Sequence, residues 1–287
     1  MTIKNIGLFG KFNDSSVADA VEEVRDFLES RNLSVLLGST TSTEIKGDRL
    51  DDQDQSPGDL LDLAIVVGGD GTMLNAARLL SEYGVPAIGI NLGRLGFLTD
   101  IPLSDLNKSL EAILQGNYSI EERTMLQCQV TNAGKEVFTG IALNDIVVSK
   151  GNTGRLIEFE IRVNGQRASH PRSDGIILST PTGSTAYALS AGGPIIYPGL
   201  PVISMSPICP HTLSNRPIIL DENARIQVTS IKTHESPANL TLDGVLCCQI
   251  HGSEDVNVSR APKKLKLIRI EGFNYFETLQ SKLGWQP

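Results

Sequence analysis

Ala64-Ile65-Val66-Val67-Gly68-Gly69-Asp70-Gly71-Thr72-Met73-Leu74 decides how this 287-residue chain is read. Four apolar residues, three of them β-branched, make a run suited to a strand buried on both faces of a parallel sheet. Three glycines with Asp70 among them break the run. Thr72 to Glu82 then carries Leu and Ala on several faces, as a helix packed on a sheet does. Strand, glycine turn and helix in that order predict an open α/β sheet with a ligand at the carboxyl end of the strand. There glycine lets backbone approach a phosphate, and the helix N-terminus favours anions. An acid set in a phosphate cradle is electrostatically odd. Asp70 fits as a group that handles a proton or a metal-bound phosphate. It fits equally as an N-cap, since Asp is favoured just before a helix.

Toward the N-terminus, Ile6 to Phe9 reads as a first strand. Asp14 to Ser16 offer N-caps for a helix whose Val17, Ala20, Val21, Val24, Phe27 and Leu28 fall on one face. Ser34 to Leu37 is a second strand, and strand, helix, strand at this spacing means parallel pairing. Gly47 to Asp62, with six Asp and a Pro-Gly pair, reads as a solvated surface loop, with a flap over a site as the alternative. Toward the C-terminus, Ala87 to Ile90 is another buried strand. It runs into Asn91-Leu92-Gly93-Arg94-Leu95-Gly96-Phe97-Leu98-Thr99-Asp100, either a second ligand-facing loop or an ordinary glycine turn. Ser104 caps a helix to about Leu114. Neither GxxxxGK[ST] nor GxGxxG occurs, which excludes a P-loop and a standard dinucleotide fingerprint.

From Thr124 the texture changes. Residues 125–132, 137–148, 156–163, 176–180, 202–206, 217–220, 225–231, 239–243 and 256–258 are short β-rich runs. Turn signals such as Asn132-Ala133-Gly134-Lys135 and Asn164-Gly165 separate them. Such a series predicts an all-β domain of two layered sheets. Lys264 to Ile270 is a last strand, and Tyr275 to Leu283 a short helix followed by Trp285. The expected organisation is an α/β domain over 1–100, a β-rich domain over 101–270, and a tail over 271–287 that packs back on the first domain.

Composition bounds the partners. The chain is 40% hydrophobic and 20% charged, as globular proteins are, and its net charge of −8 argues against nucleic acid. The N-terminus enters a strand with no charged-then-apolar leader, and no apolar run nears the roughly 18 residues that span a bilayer. Cys128, Cys209, Cys247 and Cys248 lack CxxC spacing, and His170, His211, His234 and His251 are scattered. This pattern reads as buried thiols of a cytoplasmic protein without a structural metal.

Three constellations in the β region hold chemistry. Asn144-Asp145 interrupts an apolar strand. Neighbours on a strand face opposite ways, so at least one of the pair needs a polar partner, either nearby backbone or the hydroxyls of a ribose. Arg172-Ser173-Asp174-Gly175 sets an acid at the head of a strand. Ser179-Thr180-Pro181-Thr182-Gly183-Ser184-Thr185-Ala186-Tyr187-Ala188-Leu189-Ser190, rich in hydroxyls directly after Ile176-Ile177-Leu178, reads as a folded binding loop or a linker.

Together these segments resemble the NAD kinase family over nearly the whole chain. Gly68-Gly69-Asp70-Gly71-Thr72, Asn91 to Asp100, Asn144-Asp145, Asp174-Gly175, Ser179 to Pro194 and Asp243-Gly244 carry the resemblance, and the tail Asn274 to Trp285 looks like the bacterial branch. GGDG alone is shared with lipid kinases and phosphofructokinases; followed by the other stretches in order, it is specific. The resemblance implies an N-terminal α/β domain, a C-terminal β-sandwich, an active site between them, and a homo-oligomer, dimer or tetramer. It implies transfer of the ATP γ-phosphoryl group to the 2′-hydroxyl of the adenosine ribose of NAD, with Mg²⁺. Asp70 would be the base, with Gly68, Gly69, Gly71 and Thr72 against the phosphates. Phe97 would pack near the adenine, Asn144 and Asp145 would hold ribose hydroxyls, and Arg172 with Asp174 would line the nicotinamide half. Thr185, Ala186, Tyr187 and Ser190 would contact the dinucleotide. Asp243 would lie near the transferred phosphoryl group, from a neighbouring strand or subunit. Two departures stand out: the family's usual Asn-Glu is Asn144-Asp145 here, and Gly244 stands where many relatives have a polar side chain.

Two other readings compete. A lipid kinase with the same turn needs an apolar acceptor cleft, which the Ser/Thr run at 179–190 does not suit. A nucleotide sensor without catalysis would avoid an acid at its phosphates, and Asp70 speaks against it.

Overall fold

In the computed structural model, residues 3–11, 15–93, 95–152, 154–212, 214–232 and 236–284 are described. The caps expected at Asp14, the loop residue Arg94, His234 and Trp285 lie outside them, as do the side chains of Ser15 and Ser16. Contacts group residues 1–122 with 265–287 as one compact unit and 123–264 as a second. The division expected after residue 100 therefore falls after 122, and the one expected after 270 falls after 264. The helix and strand that follow residue 102 complete the first sheet, which the local sequence does not reveal.

The first unit runs β1 (Asn5–Gly10), α1 (Ser15–Glu29), β2 (Ser34–Leu37), α2 (Pro57–Leu60), β3 (Leu63–Val67), α3 (Asp70–Tyr83), β4 (Ala87–Asn91), β5 (Ile101–Pro102), α4 (Leu106–Leu114) and β6 (Tyr118–Arg123). The sheet order is β2-β1-β3-β4, then the late strand β20 (Leu265–Ile270), then β6. Pairing from β2 through β20 is parallel. Every residue of β3 is buried, as a central strand covered on both faces requires. Val17, Ala20, Val21, Val24 and Leu28 of α1 are buried, so that helix lays its apolar stripe into the same core as Ile6, Leu8 and Ile65. The stretch from Gly47 to Asp62 is less loop-like than its aspartates suggest. It contains a short 3-10 turn at Leu50–Asp52 with Leu50 buried, and then α2. α6 (Tyr275–Leu283) closes the unit. It is capped by Asn274 Oδ1, which accepts from Phe276 N at 3.0 Å, and stopped by Gly284 in the left-handed region at φ 65°.

The second unit runs β7 (Leu126–Asn132), β8 (Lys135–Ala142), β9 (Asp145–Ser149), β10 (Ile157–Val163), β11 (Gln166–Ser169), β12 (Arg172–Ser173) and β13 (Gly175–Ser179). After the one-turn helix α5 (Tyr187–Ser190) come β14 (Val202–Ile208), β15 (Ile218–Asp221), β16 (Ile226–Lys232), β17 (Ala238–Leu242), β18 (Val245–Ile250) and β19 (Glu254–Arg260). They form two antiparallel sheets, β11-β10-β16-β19-β7-β8 and β15-β14-β13-β9-β17-β18. Alternate residues of both, among them Cys128, Phe159, Val228, Ile176 and Leu240, share one core, so the unit is a β-sandwich. Three hairpins turn on two residues with positive φ: Ala133-Gly134 (49° and 77°), Asn164-Gly165 (52° and 79°) and Asp243-Gly244 (50° and 77°). Positive φ at both positions is the geometry a two-residue hairpin needs. It also explains Gly244, whose place is set by the turn.

The single strand expected over 137–148 is two strands in two different sheets, β8 and β9. The chain crosses between layers at Leu143-Asn144, where ladder pairing stops. There the Asp243 carboxylate accepts hydrogen bonds from Leu143 N (3.0 Å), Asn144 N (2.7 Å) and Asp145 N (3.2 Å), and Asp243 N donates to Asp145 O (2.9 Å). Backbone N–H groups that no strand can take are thus taken by one side chain. Asp243→Ala is expected to lower unfolding free energy by roughly 2–4 kcal/mol, since it leaves several buried donors unpaired. Asp243→Asn, which keeps one acceptor and tolerates positive φ, should lose less. Urea denaturation of both variants measures the difference, and an alanine variant as stable as the parent would remove this role.

Candidate active site

The helix α3 starts at Asp70, two residues earlier than the sequence suggests, with Gly69 as its N-cap residue. Asp70 is therefore inside the helix, and its carboxylate does not cap it. It reaches across to the 96–100 loop, where Oδ2 accepts from Phe97 N (3.0 Å). Oδ1 accepts from Leu98 N (3.0 Å), Thr99 N (3.2 Å) and Thr99 Oγ1 (3.2 Å). Of the two readings of Asp70, capping is excluded by this geometry. Oδ2, with a single partner among the described residues, keeps lone pairs for another donor.

The glycines around it differ in their reasons. Gly68 lies at φ 144°, and a Cβ there would come within 2.5 Å of Thr72 Oγ1, so the fold itself demands glycine. At Gly69 and Gly71 a Cβ would meet nothing within 4 Å. The protein's own packing does not explain those two. Both are exposed beside the first turn of α3, where backbone N–H groups and the helix dipole favour an anion. Gly96 is fixed by Asp70 itself, because a Cβ there would sit 2.0 Å from Oδ1. Thr72 is buried against Gly68 and shapes the turn. Phe97 is half-buried, its ring centroid 6.1 Å from that of Tyr275.

In the second unit the Asn144-Asp145 backbone is fully engaged. Besides the bonds to Asp243, Asn144 O accepts from Thr180 N (2.9 Å) and Ser179 Oγ (3.2 Å), and Leu143 O accepts from Thr180 Oγ1 (2.5 Å). Gly183 lies so close that a Cβ would fall 2.1 Å from Asn144 O. The side chains are the reverse case. Neither the Asn144 amide nor the Asp145 carboxyl makes a hydrogen bond among the described residues, although Asp145 is only 4% exposed. Burial, with the neighbouring Asp243 charge adding to it, pushes the Asp145 carboxyl up to about 7. The three elements β8, β9 and the 180–183 turn hold these two residues rigidly and leave their polar ends unspent.

The hydroxyl-rich segment is folded, not a linker. Thr182–Thr185 is a 3-10 turn and α5 follows. Its first half is scaffold: Ser184 is buried, donates to Pro181 O (2.6 Å) and accepts from Ile196 N (2.9 Å), and Thr182 Oγ1 accepts from the buried Arg123 (3.2 Å). Its second half is open, with Thr185 and Ala186 half-buried, Ser190 exposed and Tyr187 47% exposed. Arg172 and Asp174 do not pair with each other. Arg172 Nε meets Glu158 Oε1 at 3.0 Å on the adjacent β10, while Asp174 Oδ1 meets Lys150 Nζ at 2.7 Å. Nothing local in the sequence singles out Gly96, Thr99, Gly183 or Lys150; only their three-dimensional neighbours show what they do.

The raised Asp145 carboxyl makes a pH prediction. The folded protein keeps that proton from about pH 4 to about pH 7, where the unfolded chain has released it. The residue's contribution to stability is full below about pH 4 and is lost as pH rises through about 7. Asp145→Asn is expected to be more stable than the parent at pH 8, by on the order of a few kcal/mol and hence with a higher melting temperature, and level with it near pH 4. Equal margins at both pH values in a thermal melt would contradict the burial effect.

Comparison with known proteins adds the following. A family model described as the ATP-NAD kinase N-terminal domain matches residues 6–118, and one described as the ATP-NAD kinase C-terminal domain matches residues 143–270. A protein named NAD kinase from Azoarcus sp. (strain BH72) is 44% identical over 284 residues, 98% of this chain and 96% of that protein. One of the same name from Pseudomonas putida (strain W619) is 42% identical over 283 residues, with 98% and 96% covered. Among solved structures, yeast NADH kinase complexed with NADH superposes with a TM-score of 0.86 at 26% identity, covering 100% of this chain and 89% of that one. An NAD kinase from Archaeoglobus fulgidus in complex with ATP has the same fold, with a TM-score of 0.73 at 24% identity over 96% and 99%.

Proposed function

The chain belongs to the ATP-NAD kinase family and is an NAD kinase, and from that premise we propose how its residues move the ATP γ-phosphoryl group to the 2′-hydroxyl of the adenosine ribose of NAD. Asp70 is the general base. One observation carries this: its carboxylate is held by three backbone amides beside two exposed glycines that packing does not require, with Oδ2 still able to accept. A fixed carboxylate at a helix N-terminus suits positioning a hydroxyl against a phosphate. Phosphoryl transfer asks for that more than for covalent chemistry. A carboxylate is a weak base, and it suffices because the hydroxyl proton leaves late, as its oxygen bonds to phosphorus.

Gly68 to Gly71 and Thr72 approach the phosphates through backbone, and Phe97 flanks the adenine. Asn144 and Asp145 accept from and donate to ribose hydroxyls; their unpaired side chains on an anchored backbone support this. Asp145 is held for that contact by its buried place on the anchored strand. Thr185, Ala186, Tyr187 and Ser190 contact the dinucleotide from the open half of their segment, and Asp174 with Arg172 lies at the nicotinamide half. Asp243 acts by holding the 143–145 backbone. Among the described residues no three His, Cys, Asp or Glu side chains gather as metal ligands. A divalent cation brought with ATP would offset the phosphate charge, and the Asp70 carboxylate, whose Oδ2 keeps free acceptor capacity, would be the protein group to face it. The reading extends to a homo-oligomer in the cytoplasm.

The test is incubation with Mg-ATP and NAD, with NADP detected by an NADP-specific dehydrogenase. Asp70→Asn is expected to lower turnover by about 10² to 10⁴ while NAD and ATP still bind by calorimetry. Its amide NH₂ would face Phe97 N–H in place of Oδ2, so a stability loss near 1 kcal/mol, one hydrogen bond, should accompany it. Near-normal turnover would remove Asp70 as base.

Tyr187→Ala separates binding from packing in the second unit. Being 47% exposed, the ring contributes little to the core. The variant is expected to bind NAD several-fold more weakly with a ligand-free melting temperature close to the parent's. A large drop in melting temperature would make Tyr187 a structural residue.

A further inference from the structure

Arg269 is the penultimate residue of a strand that nothing above assigns to the reaction. It sits on β20, between β4 and β6 in the sheet, and is 5% exposed. Its guanidinium meets four partners from three stretches of chain. NH1 pairs with Asp100 Oδ2 (2.9 Å), Nε with Glu121 Oε2 (2.8 Å), and NH2 donates to Phe97 O (3.3 Å). Cζ stands 4.1 Å from the centre of the Phe273 ring. Burial raises the Asp100 carboxyl above its ordinary range, and the guanidinium works against that shift.

The Phe97 and Asp100 contacts fall on the loop that Asp70 grips. Asp70 accepts the N–H groups of residues 97, 98 and 99; Arg269 donates to the carbonyl of 97 and the side chain of 100. The peptide groups flanking Phe97 are thus fixed at their amide side by a carboxylate and at their carbonyl side by a guanidinium. Gly96, pressed on Asp70 Oδ1, leaves the pair no slack. A rigid fork of five donors can serve three acceptors at once, and an ammonium on a flexible stem cannot hold the same three in place.

We propose that Arg269 is a positioning residue for the kinase reaction: it sets the 97–100 loop, and through that loop the orientation of the Asp70 carboxylate. The inference rests on the reading of Asp70 as the base. Loss of Arg269 should act through Asp70 and leave the sandwich untouched.

The experiment is a two-by-two cycle of Arg269→Lys and Asp70→Asn, with amide hydrogen exchange on the full chain. Arg269→Lys is expected to lower turnover about tenfold or more, as small misplacements of a reacting group do. In the Asp70→Asn background the same change should cost no more than about twofold, because coupled residues are not additive. The amides of Phe97, Leu98 and Thr99 should exchange faster in Arg269→Lys, while those of Leu143, Asn144 and Asp145, held by Asp243, serve as the internal control and stay unchanged. Independent, multiplying rate losses, or unchanged exchange at 97–99, would overturn the proposal. Normal turnover of Asp70→Asn alone would instead remove the base, and exchange at 97–99 would then decide whether Arg269 fixes the loop. If Arg269→Lys does not fold, Glu121→Gln, which keeps an acceptor for Nε and removes a charge, carries the same two measurements with the same signs.

Discussion

Two aspartates, each collecting three consecutive backbone N–H groups, are the interaction on which the rest of this structure depends. Asp70 collects those of 97–99 and Asp243 those of 143–145, in each case with two amides on one oxygen and one on the other. Both clusters occur where regular pairing has run out: one past the end of β4, the other where the chain leaves one sheet of the sandwich for the other. Irregular backbone in a buried place has to find acceptors somewhere. An ionised carboxylate is a strong acceptor, and it holds the chain in one conformation. Each unit therefore has a loop as firmly placed as a strand, and Phe97, Asn144 and Asp145 are on those loops.

The same device explains how polar side chains can be left without partners at little cost in order. Asn144 and Asp145 are tied down through their backbone, so their side chains are free of structural duty. An unpaired buried carboxyl is expensive, and its upward shift is the measure of that expense. A fold that tolerates such a group has the group positioned before any ligand arrives. Gly69 and Gly71 make the complementary statement in backbone, as open space that the protein does not fill.

Much of this was legible in the sequence. The β-branched run before three glycines gave a central parallel strand and the helix after it, and the short runs beyond residue 124 gave a sandwich. The failures share one cause, which is distance along the chain. A cap and a loop anchor look alike at Asp70, because the amides that decide between them lie 27 to 29 residues on. Residues 137–148 read as one strand since both halves are apolar; the break is imposed by Asp243, about a hundred residues later. The hairpin at Asp243-Gly244 carried a proper turn signal, but the exposed β18 after it lacked a clean alternation. Arg269 was silent for a similar reason: in Leu-Lys-Leu-Ile-Arg-Ile nothing distinguishes a buried guanidinium from an outward-facing charge.

The first sheet is discontinuous in the chain, since β20 is inserted between β4 and β6 although it is made after the entire sandwich. During synthesis the sandwich has all its strands once residue 264 has emerged. The α/β sheet then still lacks an inner strand, and the 97–100 loop lacks its guanidinium. Domains fold as units while the ribosome advances, so the half that carries Asp70 is completed only after the sandwich has been made. A nascent chain cut short before β20 would own every residue of the glycine turn and still hold it in an unfinished sheet. The glycine turn thus depends on a strand that lies, in the chain, on the far side of a whole second unit.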